Sequence, residues 1–171
     1  MRQIGIHVAT LGLVLFLVAC SGEIDNGSGN GNSGGADAAT PTGGGALYDA
    51  LPSQLQGLFD TINAERAQRG LQLVVLRETL ICAAGVHSDD VGPISSCSHT
   101  GSDGSSPGNR VDGCGGGGWS GEIIACGQGT PRSAVDAWIN SPGHNAIMFG
   151  SSKRQIGVAV TNNFWTAIFD D

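Results

Sequence analysis

Basic charge is what this chain has least of. Against 15 Asp and Glu it carries only 8 Lys and Arg, for a net charge of −7, and its one adjacent basic pair is Lys153-Arg154. A phosphate backbone is held by clustered Lys and Arg that displace its counterions, so nucleic acid is excluded as a partner. Long apolar runs are equally scarce. The one that stands out, Ile4 to Ala19, is interrupted by His7 and Thr10, and it is too short and too lightly flanked for a membrane span. Closely paired cysteines are missing as well. Beyond Cys20 the four others, Cys82, Cys97, Cys114 and Cys126, follow one another at steps of 15, 17 and 12, which excludes a zinc ribbon. The run Gly115 to Gly118 lacks the Lys and Ser/Thr of a phosphate-binding loop. Around Ser120, Glu122 stands where a Gly-x-Ser-x-Gly nucleophile elbow needs its last glycine. Asp25-Asn26-Gly27 has no bidentate acid to close a calcium loop.

What is there begins with an export signal. Residues 1–19, one Arg followed by the apolar run, read as a signal peptide. Leu17-Val18-Ala19-Cys20 resembles the bacterial lipoprotein box, in which the cysteine becomes the acylated first residue; the plainer alternative is an ordinary cleavage site with a cysteine beside it. His7 leaves with the signal. Ser21 after Cys20 is compatible with outer-membrane sorting. Residues 20–46, rich in Gly, Ser, Asn and Ala, cannot bury enough apolar surface to offset their ordering entropy and read as a tether about 25 to 30 Å in r.m.s. span. Much of the total of 29 glycines falls there and in one later loop, so the core of the remaining domain, residues 47–171, is small.

In that domain, Leu51, Leu55, Leu58, Phe59 and Ile62 recur at helical spacing between Leu47 and Gly70. Leu76, Leu80, Ala84, His87 and Val91 form the buried stripe of a second helix that Pro93 ends. Pro93 to Gly121 reads as loop. Thr130-Pro131 starts a helix with the apolar face Val135, Trp138 and Ile139; Ser141-Pro142-Gly143 breaks it, and His144 opens another short helical turn. Gln155 to Thr161 and Phe164 to Phe169 are strands joined at Asn162-Asn163. Helices flanking a small, mainly antiparallel sheet make an α+β fold.

Several islands, in order, carry a resemblance. Ser98-His99-Thr100-Gly101-Ser102-Asp103-Gly104, Arg110, Gly121-Glu122, Trp138 with Ser141-Pro142-Gly143-His144, and Ile156-Gly157-Val158 resemble bacterial CAP (SCP-like) domains, from about Leu51 to Phe169. The resemblance implies a three-layer α-β-α sandwich. It also implies that His99, Glu122 and His144 line one cleft. A second glutamate found in well-known members is replaced by Ser141, and the asparagine after the first by Ile123. Two imidazoles and a carboxylate are a His₂Glu set with an open position, for which zinc (Zn) is the natural occupant. Zinc-bound water would make Glu122 the candidate catalytic residue of a hydrolase acting on cell-wall or protein substrates. The resemblance favours instead a lipoprotein of the bacterial envelope, anchored to a membrane through acylated Cys20, whose domain binds a lipid, cell-wall or protein ligand. A buried polar network bracing glycine-rich loops is the plainest reading of the same residues. His87 is either a third imidazole of the cleft or a buried helical histidine with a satisfied hydrogen bond, and the second is favoured.

Four cysteines in an exported domain indicate two disulfides. Of three pairings, Cys82–Cys97 with Cys114–Cys126 is favoured, because each then closes a short loop beside the site.

Overall fold

The computed structural model describes residues 45–171. The expected signal peptide, the acylated Cys20 and nearly all of the tether lie outside the described residues. The expected first helix is two. Pro52 has no N–H to donate and disfavours helical geometry at Leu51 before it, so the chain breaks into α1, Ala46–Asp49, and α2, Ser53–Gln68. β1 is the pair Val75–Leu76 and α3 runs Glu78–Val91.

The stretch read as loop after Pro93 contains α4, Pro107–Gly113. Ser106 caps it by accepting from the Asn109 amide, while the Asn109 side chain accepts from the Ser106 amide. β2, Gly121–Cys126, follows, then α5, Pro131–Ile139, α6, Pro142–Met148, β3, Gln155–Thr161, and β4, Phe164–Asp170. Asn162 and Asn163 both have positive φ, 51° and 61°, the geometry of a two-residue turn whose twist matches the β3–β4 hairpin.

The sheet order is β1-β3-β4-β2, with β1 parallel to β3 and the other pairs antiparallel. Side chains alternate across it. Ile156, Val158, Trp165, Ala167, Phe169, Ile123 and Ala125 face a core shared with α2 and α5, in which Trp138 is fully buried. Ala159 and Ile168 face the opposite layer with Leu80, Ala83 and Ala84 of α3 and Val111 of α4. The three-layer arrangement is the one expected.

α3 lies on the sheet at Gly157, where a Cβ would come within 2.0 Å of the Leu80 carbonyl carbon. Buried Arg66 of α2 donates to the carbonyls of Met148, Gly150 and Lys153, tying down the end of α6 and the turn after it.

The disulfides correct the expected pairing. Cys82 is joined to Cys114 and Cys97 to Cys126, with Cα separations of 5.9 and 6.0 Å. Short loops were the wrong criterion, because regular elements stand between the cysteines. From Cys82 to the end of α3 the helix climbs about 14 Å, and β2 carries Cys126 about 17 Å from its own start, whereas a bridge needs Cα atoms within about 7 Å. Packing of α4 on α3 brings Cys114 to Cys82 instead.

Candidate functional site

β2 is an edge strand, and its alternation decides where Glu122 points. Ile123 and Ala125 belong to the α2/α5 core, so Glu122 faces the α3/α4 layer. A carboxylate there is out of water, with its side chain 1% exposed, and it needs partners. It has two. Arg110 of α4, itself 2% exposed, donates from Nη2 to Oε2 at 2.7 Å, and His99 Nδ1 is 2.8 Å from Oε1. Arg110 also donates to the Ser105 carbonyl at 2.9 Å and to the His99 carbonyl at 3.3 Å. One guanidinium therefore holds both the carboxylate and the backbone of the histidine that meets it.

The chemistry of the partners assigns the proton on His99. A carboxylate only accepts, so Nδ1 of a neutral His99 carries the hydrogen and Nε2 keeps its lone pair. The ring is about half exposed, at 48%. Glu122 thus stands behind His99, in the outer position that commonly orients an imidazole ligand.

His144 lies in the first turn of α6, half-buried, on the helix that packs against the start of β2 through Ile147. Gly121 lets α6 approach, since a Cβ there would be 2.7 Å from Ile147 Cγ2. Burial lowers the pKa of His144, and the charge of neighbouring His99 lowers it further. Both effects keep it neutral near pH 7. Ser141 is the N-cap residue of α6 and makes no side-chain cap hydrogen bond.

His87 is fully buried on α3. Its Nε2 lies 2.9 Å from the Ser98 carbonyl and 4.0 Å from Glu122 Oε1. Burial dominates in lowering its pKa; Glu122 opposes that and Arg110 adds to it. The favoured reading of a hydrogen-bonded helical histidine describes Nε2 but not Nδ1, which is buried without a partner among the described residues.

Two residues of this network have no place in the expected cleft: Arg110 figures only as one of the islands of the resemblance, and for His87 a buried helical histidine is favoured over a third imidazole. The Ser106-Pro107-x-Asn109 capping sequence was the available signal for Arg110, since it marks α4 and puts Arg110 one turn inside. For His87 the helical stripe was the signal, and it leads to the favoured reading of a buried, hydrogen-bonded histidine; the stripe does not show which carbonyl the ring meets.

Among the described residues no three His, Cys, Asp or Glu gather as a group able to hold a metal ion. The donor chemistry agrees for Glu122, whose two oxygens are already bonded to Arg110 and His99.

Residues 59–169 match the cysteine-rich secretory protein family, CAP. The chain belongs to that family. The matched span takes in every residue of the CAP site just described. Uncharacterized protein YkwD of Bacillus subtilis strain 168 is 34% identical over 115 residues, covering 66% of this chain and 45% of that protein. Among solved structures, an extracellular SCP-domain protein of Bacillus anthracis is 28% identical with a TM-score of 0.62, covering 67% of this chain and 39% of the other. An outer surface protein of Borrelia burgdorferi, 23% identical with a TM-score of 0.61, covers 68% of this chain and 91% of its own and shares the fold. The chain spans less than half the length of the two Bacillus proteins it matches.

Proposed function

We propose that this CAP domain is an extracytoplasmic binding module, anchored to the bacterial envelope through acylated Cys20, whose ligand site is the imidazole pair His99 and His144. The observation that carries the reading is the 2.8 Å contact of His99 Nδ1 with the buried Glu122, which leaves Nε2 as the outward lone pair. Two disulfides suit an oxidising compartment, and the two solved relatives are described as an extracellular and an outer surface protein.

Two neutral imidazoles, one braced by a carboxylate, suit a divalent cation such as zinc, with remaining positions for water or for groups of a lipid, cell-wall or protein ligand. A bound cation would supply Lewis acidity at those open positions. The protein's own contribution is to keep His99 in one tautomer, through Glu122, and to keep His144 unprotonated by burial.

Zinc titration by calorimetry, at pH 7, of the domain from Ala46 to Asp171 tests this directly. The expected outcome is one site per chain, lost in His99→Ala and in His144→Ala and weakened near pH 5 as the imidazoles take up protons. Absence of binding in a folded, disulfide-bonded wild type would overturn the metal-linked reading. Turnover of a cell-wall or protein substrate, abolished by Glu122→Gln, would instead make the domain a zinc-dependent hydrolase.

A further inference from the structure

His87 touches none of the solvent-facing atoms of the site, yet it is a chemically costly way to fill its place. The ring is fully buried, with its edge against Phe164 at a centroid distance of 5.4 Å and an interplanar angle of 81°. One nitrogen, Nδ1, has no partner among the described residues. A phenylalanine would cover the same apolar neighbour without burying an unmatched lone pair. What the imidazole supplies and an apolar side chain does not is its second nitrogen. A carbonyl only accepts, so the 2.9 Å contact with Ser98 is a bond donated by Nε2–H.

That bond falls at a sensitive place in the chain. Ser98 lies between Cys97, bridged to Cys126 at the end of β2, and His99, whose Nδ1 meets Glu122 on the same strand. The carbonyl of residue 98 is held by α3 through His87, and the carbonyl of residue 99 by α4 through Arg110. α3 is in turn pinned to β4 one residue further on, where Ser88 Oγ and Thr166 Oγ1 are 2.8 Å apart and fully buried.

We infer that His87 is the positioning residue of the site: its Nε2–H fixes the Ser98 carbonyl, and so the peptide entering His99, at the height where Nδ1–H of His99 meets Glu122 and Nε2 faces outward. This rests on the reading of His99 Nε2 as the ligand-facing group. It assigns to a residue that never meets the ligand the choice of which histidine nitrogen does.

The test is the tautomer of His99, read by long-range ¹H–¹⁵N correlation on the full chain in detergent, for wild type, His87→Gln and His87→Phe. Wild type is expected to show Nε2–H for His87 and Nδ1–H for His99. His87→Gln, whose amide can still donate to Ser98, keeps the His99 tautomer. His87→Phe shifts it toward the Nε2–H form that dominates in free imidazole side chains, and weakens zinc binding by about tenfold or more. A His87→Phe chain that loses thermal stability but keeps the His99 tautomer would reduce His87 to packing and overturn the inference. An Nδ1–H tautomer for His87 in the wild type would overturn it without any variant, because Ser98 would then have no donor. The tautomer needs no metal to be seen. A wild type with the expected tautomers that takes up no zinc therefore removes the metal-linked reading and leaves the role of His87 standing.

Discussion

At the scale of single residues, the site is a balance of buried charge. Glu122 and Arg110 neutralise each other out of water, and burial lowers the pKa of His87 and of His144 and so favours their neutral forms. The consequence for stability has a definite sign. The folded pKa of His87 lies below its ordinary value of 6.5, so between the two the unfolded chain binds a proton that the folded chain refuses. Stability from neutral His87 is complete above about pH 6.5 and is lost as pH falls from there through the folded value. His144 acts in the same sense. Urea midpoints compared at about pH 7.5 and 5.5 should therefore drop further in wild type than in His87→Gln. Equal drops would place the acid sensitivity in other groups.

Among the elements, α3 and β2 do most to bring the site together. α3 supplies His87 and rests on β3 at Gly157, where no side chain fits. Gly157→Ala would drive a methyl group into the Leu80 peptide, and the expected loss is about 3 kcal/mol or more, read from denaturant midpoints. Gly85→Ala, also on α3 but with open space at its Cβ, is the control and should gain about 0.5 to 1 kcal/mol. If both variants proved neutral, the close approach of α3 to the sheet would be wrong. α2, α3, α5 and the β3–β4 hairpin were legible because each repeats an apolar period or carries its own cap or turn residues. β2 was not. Its run Gly121-Glu122-Ile123-Ile124-Ala125-Cys126 is apolar on both faces except at Glu122, so it shows no alternation, and its strand character comes from pairing with β4.

On the scale of the whole molecule, two interleaved bridges tie the helical layer together and its following loop to the sheet edge. Cys82–Cys114 joins α3 to the end of α4, which carries Arg110, and Cys97–Cys126 joins the His99 loop to β2, which carries Glu122. With sequence separations of 32 and 29, each contributes about 3 to 4 kcal/mol in the chain-entropy picture. Removing either pair as a double serine variant should lower Tm by about 10 °C, and removing Cys97 and Cys126 should also weaken zinc binding. Non-reducing peptide maps should give the same two pairs; a Cys82–Cys97 peptide would contradict the fold of this region. The sequence by itself determined the α+β class, the chain order of the elements with strong local signals, the family and the islands bearing His99, Glu122 and His144, because each is written in neighbouring residues. Only the tertiary structure decided the cysteine pairing, the partnership of Arg110 with Glu122 and the bond from His87 to Ser98. The bridges and the Arg110–Glu122 pair join different elements across a packed layer, where distance is set by helix rise and sheet register. The His87 bond closes 11 residues, but only through the turn the chain makes after α3. Spacing along the chain carries little information about either.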